Sequence, residues 1–194
     1  MATITRVYDT YSHASRVVAD LEAAGIPTAD ISLVANKYIS DKYANVDDAS
    51  AAGSGAGIGA AVGGGTGLLA GLGMLAIPGL GPVVAAGWLA ATALGAAAGA
   101  ATGGVIGALV GNGVSEQDAN VYAESVRRGG TMVTARVNDV QLGLARSIME
   151  RYSPVDPLTR AAEYQKTGWK QFDPAAAPYR PNESEIEQIR RDYR

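Results

Sequence analysis

The stretch Gly71-Leu72-Gly73-Met74-Leu75-Ala76-Ile77-Pro78-Gly79-Leu80-Gly81-Pro82-Val83-Val84-Ala85-Ala86-Gly87 lies at the centre of a 194-residue chain. Its reading decides how the rest is organised. Pro78, Gly79, Gly81 and Pro82 leave little chance of continuous helix, because proline lacks the N–H and glycine carries the largest backbone entropy. They predict a hairpin turn between two apolar arms.

Outward from that turn, no Asp, Glu, Lys, Arg or His occurs from residue 49 to residue 115, and 20 of the chain's 25 glycines fall between Gly53 and Gly113. Before the turn, Gly55, Gly59, Gly63, Gly67 and Gly71 recur every fourth residue. After it, Gly87, Gly95, Gly99, Gly103, Gly107 and Gly111 keep that spacing, with Ala91 filling the gap. In a helix this register lines one face, where small residues let another backbone approach closely. Eleven helical glycines cost roughly 10 kcal/mol relative to alanine, so a packing interface is expected to offset them.

Read as helices, Gly55–Ile77 would extend roughly 34 Å and Val83–Gly111 roughly 43 Å, each longer than the approximately 30 Å apolar thickness of a bilayer. Length and lack of charge predict a membrane-inserted or membrane-associated glycine-zipper hairpin. The abundance of Ala and Gly, which drive insertion weakly, supports the alternative of a soluble homo-oligomer, a particle or filament with the hairpins in its core. Either reading makes the chain its own principal partner, with membrane lipid a second partner in the first case.

The flanks read as an ordinary α/β domain. Residues 3–9 and 30–36 are short β-type runs, and between them Ala14, Val17, Val18 and Leu21 follow helical spacing. Asp9 or Thr10 caps that helix, and Gly25 stops it. Residues 37–50, with Asp47 and Asp48, read as a linker. Beyond the insert, Ser115 starts a helix that carries Ala119, Tyr122, Ala123 and Val126 inward and ends at Arg127-Arg128-Gly129. Thr131 to Val137 alternates as a strand. Asp139 is expected to cap a further helix with Ala145, Ile148, Met149 and Tyr152 buried, and Val155 to lie in a last strand.

The predicted fold is therefore α+β, a split ferredoxin-like sandwich of pattern βαβ, insert, αβαβ. It divides into residues 1–50, the first half and linker; 51–113, the hairpin; 114–159, the second half; and 160–194, a C-terminal arm. From Arg160 the aromatic residues lack helical period, so the arm is expected to be extended, closing in a short helix after Asn182. Trp169, Phe172 and Tyr179 on it are candidates for a subunit contact.

Composition excludes several classes. The net charge of −3 and the scattered Lys and Arg argue against a nucleic-acid surface. Absence of cysteine removes thiolate chemistry and Cys-based metal sites. His13 has no second histidine with which to hold a metal, and no Ser-His-acid arrangement can be proposed. Gly65-Thr66-Gly67-Leu68-Leu69-Ala70 fits a dinucleotide pattern, but no strand precedes it and no acid follows at the required distance. No catalytic residue, cofactor, metal or small-molecule substrate is predicted, so the chain is read as non-enzymatic. Without a basic region and apolar run at its start it is expected to have no signal peptide; its α/β domain is placed in the cytoplasm, at the inner membrane.

Several segments carry a resemblance: Tyr8-Asp9; Leu21-Glu22-Ala23-Ala24-Gly25-Ile26 leading to Asp30-Ile31-Ser32-Leu33-Val34; Ala76 to Pro82; and Arg127-Arg128-Gly129-Gly130. In this order, around a glycine-rich insert, they resemble the bacterial general stress, heat-induced protein family over roughly residues 3–157. The resemblance implies a non-catalytic protein of the stress response and supplies no catalytic or cofactor residues.

Overall fold

The computed structural model describes residues 1–36, 73–77, 80–89, 92, 104–176, 179, 183, 184 and 187. In chain order these form β1 (Ala2–Tyr8), α1 (Tyr11–Ala23), a 3-10 turn (Thr28–Asp30), β2 (Ile31–Asn36), β3 (Gly73–Ile77), β4 (Gly81–Gly87), α2 (Gly104–Val110), α3 (Glu116–Arg127), β5 (Thr131–Val137), α4 (Asp139–Glu150) and α5 (Pro157–Lys166). The strands make one antiparallel-paired sheet in the order β1-β5-β2-β4-β3.

Side chains alternate across the sheet. Ile4, Tyr8, Leu33, Val133 and Ala135 pack beneath Val17, Val18 and Leu21 of α1 and Ala145, Ile148 and Met149 of α4. Val7, Val34, Val83 and Met132 face the other way, against Val105 and Leu109 of α2 and Ala119, Tyr122 and Val126 of α3. The result is a mixed α/β domain in three layers, with a continuous apolar core on each side of the sheet.

Local sequence explains the helix ends. Thr10 accepts from the His13 N–H, and Ser115 from that of Asp118, each satisfying a donor that a helix start leaves unpaired. At α4 the cap is Asn138, which accepts from the Gln141 N–H; Asp139, expected to cap, is instead the first helical residue. Gly25 takes φ +81° just beyond α1, the left-handed stop that glycine adopts without a Cβ penalty.

The central stretch is where expectation and structure part. Met74 and Leu75 lie in β3 and Val83 and Val84 in β4, so the arms next to the turn are strands, and the turn closes a β-hairpin with Ile77 opposite Gly81. Pro82 lies one residue outside the register that pairs Asn36 with Val83, which spares β2 a missing donor. The arms therefore do not form two continuous helices of 23 and 29 residues; the second begins in β4, and among its described residues α2 spans Gly104–Val110. Among the described residues no helix is long and apolar enough to cross a membrane.

Two further expectations change near the C-terminus. Instead of a last strand, Val155 gives one backbone hydrogen bond, its N–H to the Val7 carbonyl at 2.7 Å. The boundary drawn at 159/160 falls inside α5, where Asp156 caps Thr159 and Pro157 occupies the first turn. The arm thus begins as a helix rather than as extended chain.

Candidate assembly surfaces

Of the glycine register, Gly55, Gly59, Gly63, Gly67, Gly71, Ala91, Gly95, Gly99 and Gly103 lie outside the described residues, as do Pro78 and Gly79 of the turn. The remaining three do different things. Gly87 ends β4 with φ +89°, and a Cβ there would lie 2.1 Å from the Ile31 carbonyl oxygen. It is a glycine because the backbone of β2 passes against it, not because a helix groove needs it. Gly107 lies within α2, and Gly111 follows it in a turn where a Cβ would lie 3.0 Å from the Gly107 carbonyl oxygen.

The charge-free insert is joined to the domain by polar contacts as well as by the sheet. The Ser32 hydroxyl donates to the Ala86 carbonyl at 2.7 Å and accepts from the Leu89 N–H. The Asn36 amide donates to the carbonyls of Leu80 and Arg127. Trp88 donates to the Asp30 carbonyl, and the Arg136 guanidinium lies 4.6 Å from the Trp88 ring while pairing with Asp30 at 2.9 Å.

At the end of α3, Glu124 is almost fully buried and its carboxylate is held by Arg127 at 2.6 and 2.8 Å and by Arg128 at 2.6 Å. The hydrogen bonds to Glu124 keep the Arg127 guanidinium charged to higher pH than usual. Tyr164 and Tyr179 lie over these cations, with Arg128 at 4.3 Å from the first ring and 4.9 Å from the second. The spacing Glu124, Arg127, Arg128 at i, i+3, i+4 is a legible pairing signal; the burial of the carboxylate is not. Both arginines, which a helix terminus beside a bilayer would offer to lipid phosphate, are engaged inside their own domain.

The three aromatic residues nominated for a subunit contact also meet their own chain. Phe172 is buried with Val7, Tyr122 and Val155, and its N–H donates to the Asn120 side chain at 3.0 Å. Trp169 packs edge-on against Tyr164 with ring centroids 5.6 Å apart, and Tyr179 covers Arg127 and Arg128.

Among the described residues no group of three His, Asp or Glu side chains converges to hold a metal. His13 lies beside Tyr152, ring centroids 6.4 Å apart, and the Tyr152 hydroxyl donates to Asp20, which also pairs with Arg151. The described residues form a three-layer α/β domain whose sheet is widened by a hairpin from a charge-free insert. No family model, curated protein or solved structure matches the chain.

Proposed function

We propose that this protein is a non-enzymatic structural protein that self-assembles through its glycine-rich, charge-free segment and serves in a bacterial stress response. The observation that carries the reading is the four-residue glycine register in a 67-residue run without charge. The stress assignment rests on the resemblance to general stress proteins. β1 and β2 run parallel with β5 antiparallel between them, α1 and α4 cover one face, and Val155 lies beside β1. This arrangement supports a split ferredoxin-like core, with the Val155 segment where a fourth strand would run.

Chain length favours an assembly core over a membrane crossing. Asn36 and Gly73 are both fixed in one sheet, so residues 37–72 must return to the side on which they started. Two crossings need about 40 residues, and the charge-free part of that segment, 49–72, supplies 24. Adhesion to a membrane surface is the second reading, favoured by the same absence of charge.

Alkaline carbonate extraction of fractionated cells, followed by sizing, tests the proposal. Release as a large soluble particle, lost when Gly63, Gly67, Gly99 and Gly103 become leucine, is the expected result. Retention in the membrane pellet would replace the assembly core by the membrane reading, and an unchanged particle in the leucine variant would remove the glycine register as its cause. Protein abundance should rise after a heat shift; constant abundance would end the stress assignment.

A further inference from the structure

We propose that α4 carries a separate, self-complementary contact through which two copies of this chain pair antiparallel, crossing at Gly143. Val140 is 92% exposed and Leu144 50% exposed, one helical turn apart, while Ala145, Ile148 and Met149 supply the inward face. Gly143 stands in mid-helix, which costs about 1 kcal/mol relative to alanine. Among the described residues a Cβ there would meet nothing within 4 Å. Nothing among those residues calls for a glycine at this position, whereas an outward bare Cα lets a second backbone come close.

The charges indicate which backbone. At about 100° per residue, Val140 and Leu144 fall on one flank of Gly143 and Asp139 and Arg146 on the other. Asp139 and Arg146 are both exposed. Along the axis Asp139 lies about 6 Å before Gly143 and Arg146 about 4.5 Å after it. A two-fold axis through the crossing therefore brings Asp139 of each copy level with Arg146 of the other. The same rotation sets Val140 of each copy beside Leu144 of the other on the opposite flank, as an isologous contact requires. A different partner would have to present this pattern, and the chain already presents it.

The surface lies on the opposite side of the sheet from α2 and α3, so the pairing goes beyond assembly through the insert and does not depend on it. Two helices of this length bury less than the roughly 800 Å² per partner of a standard interface, so the contact is of the weak, reversible class.

Sedimentation velocity of the full chain across a micromolar dilution series tests the contact in the four-leucine variant, in which assembly through the insert is removed, alone and with Gly143→Ala or Val140→Glu added. Gly143→Ala is expected to raise thermal stability, alanine being the better helix former, while weakening the dimer about tenfold or more. Val140→Glu is expected to remove the dimer, and the four-leucine variant to retain it. A four-leucine variant that stays monomeric, or a Gly143→Ala derivative that dimerises as tightly as its parent, overturns the proposal. A four-leucine dimer that Val140→Glu leaves intact would place the contact elsewhere and overturn it equally.

Discussion

The carboxylate of Glu124 sits between the guanidinium groups of Arg127 and Arg128, 2.6 Å from each, with 1% of its side chain exposed. Removing one partner of a buried ion pair leaves the other charge desolvated and uncompensated, a loss of about 3–5 kcal/mol. Because the arginines retain some contact with water, Glu124→Ala is expected near the lower end, about 3 kcal/mol. Arg128→Ala should cost less, since Arg127 still grips the carboxylate through two nitrogens. Urea unfolding of the three chains checks the order; equal stabilities would show that the cluster contributes no net stability.

Gly87 and Gly25 both have positive φ, yet their substitutions should differ. A Cβ on Gly25 meets nothing within 4 Å, whereas on Gly87 it strikes the backbone of β2 at Ile31 and Ser32. Gly25→Ala carries only the left-handed penalty, about 1–2 kcal/mol. Gly87→Ala adds a clash that only separation of β2 and β4 can relieve, and should lower stability by at least about 3 kcal/mol. Thermal melts distinguish them. A mild effect at Gly87 would contradict its place at the end of β4.

Alkaline pH should unfold the protein through its buried tyrosines. Burial pushes the Tyr8 and Tyr122 hydroxyls above the ordinary tyrosine range, and Tyr8 donates to the Met149 carbonyl at 2.9 Å. The folded state thus holds these protons more tightly than the unfolded chain. By linkage, their contribution is fully present below about pH 10, the unfolded value, and declines as pH rises beyond it toward the folded values. Phenolate absorbance should show these tyrosines ionising only together with loss of far-ultraviolet helix signal. Tyr8→Phe should soften the alkaline decline, at the cost of the bond to Met149.

Much of the domain is legible in the residues. Alternation in Thr131–Val137 and the helical spacing of Ala14, Val17, Val18 and Leu21 locate β5 and α1, because each pattern matches one period only. The insert misleads for a physical reason. A short apolar run such as Gly73–Ile77 has no polar face to set its period, so strand and helix look alike, and glycine at every fourth residue adds a helical signal that β4 overrides. Ile77 to Pro82 is equally compatible with a β-hairpin, flanked by the β-branched Val83 and Val84. Asp156-Pro157 is a readable helix start, although the aromatic spacing beyond Arg160 carries no helical period. Nothing local reveals that Glu124 is buried, or that Tyr164 and Tyr179 of the arm lie over its arginine partners.

Phe172 decides whether the arm belongs to its own domain or to a neighbour. Its ring is buried with Val7, Tyr122 and Val155, and its N–H is bonded to Asn120, so the arm closes the layer containing α3. Truncating a buried phenylalanine typically costs about 3–5 kcal/mol, and Phe172→Ala is expected within that range. Trp169→Ala, at a half-buried position against Tyr164, should cost less. If the contact is internal, the loss is the same at every protein concentration and the assembly mass is unchanged. If the ring instead gripped a second subunit, the loss would fade on dilution and the mass would fall. Denaturation at two concentrations a hundredfold apart, with sizing of the same samples, separates the cases, and a concentration-dependent effect would return Phe172 to the subunit interface.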